Sequence, residues 1–278
     1  MNSQTEIYKQ QIEQMAKGQI TLDPTRTLLL VVDMVNDGCS ELGSFKKMMN
    51  ADISMFQAIE PNIIALMRAC KAAGIPRICV QSIYDFAYIS PAMRQRFEAM
   101  GIQDGMIAPK GQWGSKIIDT LMAEDPEYVL VKSHYSAFAK GRTLMYKVGG
   151  EKRKLEEYLQ LPVEYDKEAQ ANKERILNEY FQDAKINPIC TDRLITLDRF
   201  MCHRNTIIIT GGSTHVCEDA AVSGASERGY HVIESIDAVA SEDHDKHYAY
   251  LHNHGIFKSQ LTTTARLIEA IRKIKTNK

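Results

Sequence analysis

Leu28-Leu29-Leu30-Val31-Val32 is an unbroken apolar run closed by Asp33, and it constrains the fold more than any other stretch. A strand apolar on both faces is one covered on both faces, as happens in parallel sheets packed between helices. The amphipathic stretch Met55 to Ala73 follows it, stopped by Gly74, and leads into a second strand-like run, Ile75 to Gln81. That is a βαβ unit, and it argues for a parallel sheet.

The pattern recurs along the chain. Strands are expected at 27–33, 75–81, 128–132, 205–210 and 230–235. Helices are expected at 4–17 (a surface arm ending at Gly18), 55–73, 91–100, 115–123, 193–201, 217–228 and 263–275, with 101–114 a loop around Trp113. Between Gly141 and Cys190 no strand is visible. Two helical periodicities stand there instead, one through Leu155, Tyr158 and Leu159, the other through Ile176, Leu177, Tyr180, Phe181 and Ala184. The reading is one α/β domain over 1–278, a doubly wound, Rossmann-like three-layer fold, with a helical insertion at 141–190.

Bulk properties narrow the partners. With 278 residues and a formal net charge of −1, nothing suggests a nucleic acid or an anionic membrane. The start is polar, and no apolar run approaches membrane-spanning length, so a cytoplasmic location is expected. The six cysteines, at 39, 70, 79, 190, 202 and 217, have no CxxC spacing and indicate neither disulfides nor a zinc knuckle. Histidines 244, 247, 252 and 254 match no ligand template, so no metal and no cofactor are expected.

One segment carries chemistry. Ile207 to Ile209 reads as a buried strand, Gly211-Gly212-Ser213 as a tight turn, and Cys217 falls on the first turn of the helix that follows. There the unpaired N–H groups and the helix dipole favour a thiolate. Taken alone, a free cysteine is more often a buried core residue. Asp33 and Lys132, however, each close another apolar strand, on the rim where open α/β sheets bind ligands. Singly these would be a turn cap and a solvated strand end; together with Cys217 they form a candidate site.

Segments 31–37 (Val-Val-Asp-Met-Val-Asn-Asp), 132–138 (Lys-Ser-His-Tyr-Ser-Ala-Phe) and 212–217 (Gly-Ser-Thr-His-Val-Cys), in this order, resemble the isochorismatase-like cysteine hydrolases. Glu227-Arg228-Gly229-Tyr230 and Asp237-Ala238 fit the same family, which includes nicotinamidases and the N-carbamoylsarcosine, biuret and ureidoacrylate amidohydrolases. The resemblance implies a six-stranded parallel sheet with helices on both sides, frequently in a homo-oligomer. It also implies an Asp33, Lys132, Cys217 triad and a non-proline cis peptide at Gly212-Ser213. That peptide would turn the Ser213 N–H toward the site, to form an oxyanion hole with the Cys217 N–H.

Within that resemblance, Gln81 to Tyr88 holds no histidine, which disfavours the metal-bearing nicotinamidases, and Cys217 argues against the vinyl ether chemistry of true isochorismatases. Leu22-Asp23-Pro24 and Gly111-Gln112-Trp113-Gly114 look more like the ureido and carbamoyl amidohydrolases. Asn36, Trp113, Tyr135 and Phe138 lie near enough to the motifs to line a pocket. His215 stands where the family usually has Asp or Asn, and the insertion, which is not a general family feature, is expected to be a lid or an oligomer contact, with a decorative surface hairpin as the alternative. The expected function is hydrolysis of a C–N bond in a small linear amide or ureido compound through a cysteine thioester, releasing ammonia. The alternatives are a non-hydrolytic small-molecule-binding or regulatory member of the fold, or an isochorismatase-type hydrolase.

Overall fold

The computed structural model describes residues 3–139, 143–148, 194–195 and 197–273. The strands are β1 Thr27–Val32, β2 Arg77–Ser82, β3 Tyr128–Lys132, β4 Thr143–Lys147, β5 Leu194–Ile195, β6 Thr206–Gly212, β7 His231–Ala240 and β8 Gln260–Thr262. Among the described residues they form one sheet in the order β5-β4-β3-β2-β1-β6-β7-β8. The six from β3 to β8 across the centre run parallel, while β4 and β5 add antiparallel pairs at one edge.

Side-chain alternation along β1 builds two cores. Leu29 and Val31 point into one, with Ile63, Leu66 and Met67 of α4 (Ser54–Ala73). Leu28, Leu30 and Val32 point into the other, with Ala221, Val222 and Ala225 of the helix Asp219–Ser226. All six residues of β1 are buried, as a strand with helices on both faces must be.

Several boundaries differ from the sequence expectation, each for a local reason. Residues 143–147 form a strand where none was visible, because the segment is held by antiparallel pairing to β3, a non-local contact that periodicity does not report. Residues 149–193, with both helical periodicities of the insertion, lie outside the described residues. The expected helix at 193–201 is strand β5 followed by a short helix, Leu197–Met201. The expected helix at 115–123 shrinks to Asp119–Met122, since Ile117 instead bridges to Val35. The N-terminal helix α1 (Ser3–Met15) is no free arm: Ile12 and Ala16 pack against Leu251 and Leu261. β8, three residues long, has no pattern of its own and is set by pairing to β7.

A buried polar network ties the second half of the sheet to its helices. His254, on the helix His244–Phe257, is fully buried, with Nδ1 3.0 Å from Glu234 of β7 and Nε2 3.0 Å from Asp219. Both nitrogens face acceptor-only carboxylates, so the ring donates twice, as an imidazolium. Lys258 adds a 2.7 Å contact to Asp219, and Ser259 Oγ donates to Glu234. Burial by itself would lower the His254 pKa, but Glu234 and Asp219 raise it to about 9 from an ordinary 6.5. Its contribution to stability is therefore complete below about pH 6.5 and is lost as the pH rises through about 9. Urea unfolding across that window should show stability falling by on the order of 3 kcal/mol, and His254→Gln should flatten the fall.

Candidate active site

The site forms where the carboxyl ends of β1, β3 and β6 meet. Asp33 follows β1 with φ of 49°, a left-handed conformation that Asp tolerates better than most residues. Lys132 is the last residue of β3, paired in register with Ser82 at the end of β2. Strands two apart are separated by about 10 Å, so the lysine must reach over the end of β2, where the small Ser82 leaves room. Its Nζ lies 2.7 Å from Asp33 Oδ2, 2.9 Å from the His134 carbonyl, 3.2 Å from Tyr84 Oη and 3.4 Å from Cys217 Sγ. The ammonium thus has three hydrogen-bond acceptors and, in addition, the ion-pair contact with Asp33.

Cys217 is presented by a tight turn. Gly211 has φ of 103°, and any Cβ there would collide with the Val32 backbone, so glycine alone lets β6 press against β1 as it ends. The next peptide, Gly212-Ser213, is cis. Thr214–Glu218 then form one wide helical turn that runs into Asp219–Ser226. Thr214 Oγ1 donates to the Ala240 carbonyl at 2.9 Å, so its 2.9 Å contact with His247 Nδ1 makes the imidazole the donor. Burial lowers the His247 pKa to about 4, so this ring is neutral with its proton on Nδ1. These bonds fasten the turn to the end of β7 and to the helix His244–Phe257.

The three candidate catalytic side chains are all buried: Asp33 is 8%, Lys132 1% and Cys217 7% exposed. Burial pushes the Cys217 thiol up to about 12; Lys132 opposes that rise and Asp33 adds to it. The expectation that a helix start makes Cys217 a thiolate is therefore corrected. Burial and the neighbouring carboxylate outweigh the dipole, and the group rests as a thiol. Burial would depress the Lys132 pKa, but Asp33 and Cys217 hold it above the ordinary lysine value. Tyr84 Oη lies 3.2 Å from Cys217 Sγ, and burial drives its phenol well above the usual range, so it remains a hydrogen-bonding hydroxyl.

A cavity of about 260 Å³ opens on these groups. Asp33, Tyr84, Tyr135, Ser213, His215, Cys217 and Glu242 give its polar lining; Phe45, Met49, Phe56, Phe97, Ile102 and Ile107 give the apolar part. Of the four expected pocket residues, Tyr135 lines it and the other three do not. Asn36 donates to the Trp113 carbonyl at 2.8 Å, which holds the loop, while the Trp113 ring is 46% exposed. Phe138 is buried in the core beside Tyr230, under the Arg228 guanidinium. Tyr84 and Glu242 were missed because both come from segments after strands, with no motif around them.

Behind Cys217, Glu218 is fully buried, and burial together with Glu234 holds its carboxyl well above the usual carboxylate range. Its adjacency to Cys217 was the available signal. Of the four histidines at 244–254, His247 and His254 are structural donors, His244 lies 3.4 Å from Asp52, and His252 stacks on Tyr8. No cluster of three or more metal-ligating side chains occurs among the described residues. None of the described helices is long and apolar enough to cross a membrane.

An α/β fold with a cysteine, lysine and aspartate at strand ends defines a class, and comparison with known proteins gives it a name. The family model described as the Isochorismatase domain matches residues 27–160 and 192–266, and the chain belongs to that family. The ureidoacrylate amidohydrolase RutB of Enterobacter sp. (strain 638) is 33% identical over 134 residues, 43% of this chain and 56% of that protein. RutB of Pseudomonas syringae pv. syringae (strain B728a) is 32% identical over 134 residues, 43% of this chain and 53% of its own length. The chain thus spans about half the length of the curated relatives it matches. In fold it is similar to a cysteine hydrolase from Pseudomonas syringae pv. phaseolicola 1448A, with TM-score 0.61 and 20% identity, over 92% of this chain and 96% of the other. It is also similar to N-carbamoylsarcosine amidase from Thermoplasma acidophilum, with TM-score 0.50 and 18% identity, over 86% and 96% of the two chains.

The electrostatics at the thiol are directly measurable. In an iodoacetamide pH profile, Cys217 alkylation should still be rising at pH 10, beyond the point at which an ordinary thiol levels off. Asp33→Asn should move the profile to lower pH, and Lys132→Met to higher pH. A wild-type profile that levels off below pH 8 would contradict this picture.

Proposed function

We propose that this chain is a cysteine amidohydrolase that cleaves the C–N bond of a small linear amide or ureido compound through a thioester on Cys217, releasing ammonia. The observation that carries the reading is the buried chain of contacts from Asp33 to Lys132 at 2.7 Å and from Lys132 to Cys217 at 3.4 Å, at the wall of a cavity. The relatives named as amidohydrolases support the reaction class.

In this mechanism Asp33 accepts the Cys217 proton as the sulfur attacks the substrate carbonyl. A resting thiol beside a carboxylate suits that step, because the sulfur gives up its proton to Asp33 only as it attacks. Lys132 stabilises the sulfur and carboxylate charges in turn, and Tyr84 adds a hydroxyl to the sulfur. The tetrahedral oxyanion rests on the backbone N–H groups of Ser213 and Cys217. Asp33 returns the proton to the departing nitrogen, the C–N bond breaks, and ammonia leaves a carbamoyl or acyl thioester. Water then attacks with Asp33 as base, and the thiol re-forms as the acid product departs.

Ammonia release over ureido acids, biuret, maleamate and simple carboxamides tests the reaction. Cys217→Ala should reduce kcat by on the order of 10⁴-fold or more with an unchanged melting curve. Asp33→Asn and Lys132→Met should be nearly as damaging, since such units are not additive. Intact mass after rapid quenching should show an acyl adduct on wild type and none on Cys217→Ala. Turnover retained by Cys217→Ala would remove the nucleophile assignment.

A further inference from the structure

Glu242 lines the cavity together with Cys217, although it belongs to the segment that follows β7. Two residues of the cysteine turn hold it there. Ser213 Oγ donates to Oε2 at 2.5 Å, and His215 Nε2 lies 3.5 Å from Oε1. Ser241 Oγ accepts the Asp243 N–H at 3.1 Å, so its hydroxyl donates to His215 Nδ1, 2.9 Å away, and leaves the ring's Nε2 side facing Glu242 at no more than electrostatic range. A carboxylate has about four acceptor positions, of which the Ser213 hydroxyl uses one. Glu242 therefore keeps acceptor capacity on a cavity otherwise walled by Phe45, Phe56, Phe97 and Ile107.

The other charges around the cavity do not cancel it. Asp37 also lines the cavity, but its oxygens accept the Ser44 N–H at 3.1 Å and the Ala108 N–H at 2.7 Å. Lys132 is matched by Asp33 and Lys246 pairs with Asp243 at 3.0 Å, while Arg96 acts electrostatically on Tyr135. Among the described residues that line the cavity, acidic side chains are present and no lysine or arginine is.

Resting on the reading of Cys217 as nucleophile, we infer that Glu242 sets the charge of the substrate. The cavity takes a short aliphatic amide or urea whose far end is neutral or cationic, with an N–H donor on Glu242. It disfavours ureido acids that carry a carboxylate there. An anion in the cavity would face a like charge in surroundings that screen poorly. A donor on the substrate would complete the bonding of Glu242.

Two measurements on the full chain test this. First, Cys217 is alkylated with iodoacetamide, iodoacetate and 2-bromoethylamine. Peptide mass spectrometry keeps the exposed Cys202 out of the count, and each rate is divided by that of the same reagent with 2-mercaptoethanol. Wild type should prefer iodoacetamide over iodoacetate by about tenfold or more and favour the cationic reagent, and Glu242→Gln should shrink both preferences severalfold. Second, kcat/KM is compared for 3-ureidopropionate, propylurea and 3-aminopropylurea, which should rise in that order in wild type and converge in Glu242→Gln. A normalised alkylation preference near one, or one unchanged in Glu242→Gln, overturns the inference. If the alkylation preference holds but no amide or urea is turned over, the hydrolytic reading fails and the charge selectivity stands. If all three ureas turn over alike in both proteins, the reverse is true.

Discussion

The buried ion pair between Asp33 and Lys132 is the interaction on which the site depends. Two charges so far from water gain little net stability from each other, and losing one partner strands the other. The arrangement requires two strand ends about 10 Å apart with a small residue between them, and Ser82 supplies it. It also requires that β1 be covered on both faces, since a wetter strand would let solvent screen the pair. The apolar runs that end in Asp33 and Lys132 are thus one device: they build the parallel sheet, and they carry the charges to its rim.

A second layer of buried polarity lies behind the cysteine turn. Glu234, His254 and Asp219 form a chain of carboxyl and imidazole groups, while Thr214 ties the same turn to the end of β7 and to His247. The cysteine is therefore positioned by bonds on its far side, away from the cavity. This leaves the cavity face of the turn to Ser213 and His215, which hold Glu242.

Much of the central sheet was legible in the sequence, for a physical reason. Strands buried on both faces need continuous apolar residues, and 28–32 and 129–131 have them; the amphipathic run to Gly74 marks α4 by its period. The edges were not legible. β4 and β8 are short and exist through pairing with strands already in place, which no local pattern records. At the site, Asp33, Lys132 and Cys217 could be read because each follows an apolar run. Tyr84 and Glu242 could not, since tertiary packing carries them to the cavity from loops. The ionisation of Cys217 was misread for a related cause: a helix start is visible in sequence, whereas the depth of its burial is not.

The antiparallel edge has a consequence for how the chain tolerates change. Thr143–Lys147 pairs with β3, and Leu194–Ile195 pairs in turn with that strand, so the chain leaves the sheet and returns to it at adjacent, hydrogen-bonded positions. Whatever length of chain lies between, its two ends are already held side by side. Doubling such an excursion adds only about 0.6 kcal/mol of closure cost. This corner of the fold is a port at which sequence can be added or removed while the strands that carry the chemistry keep their register.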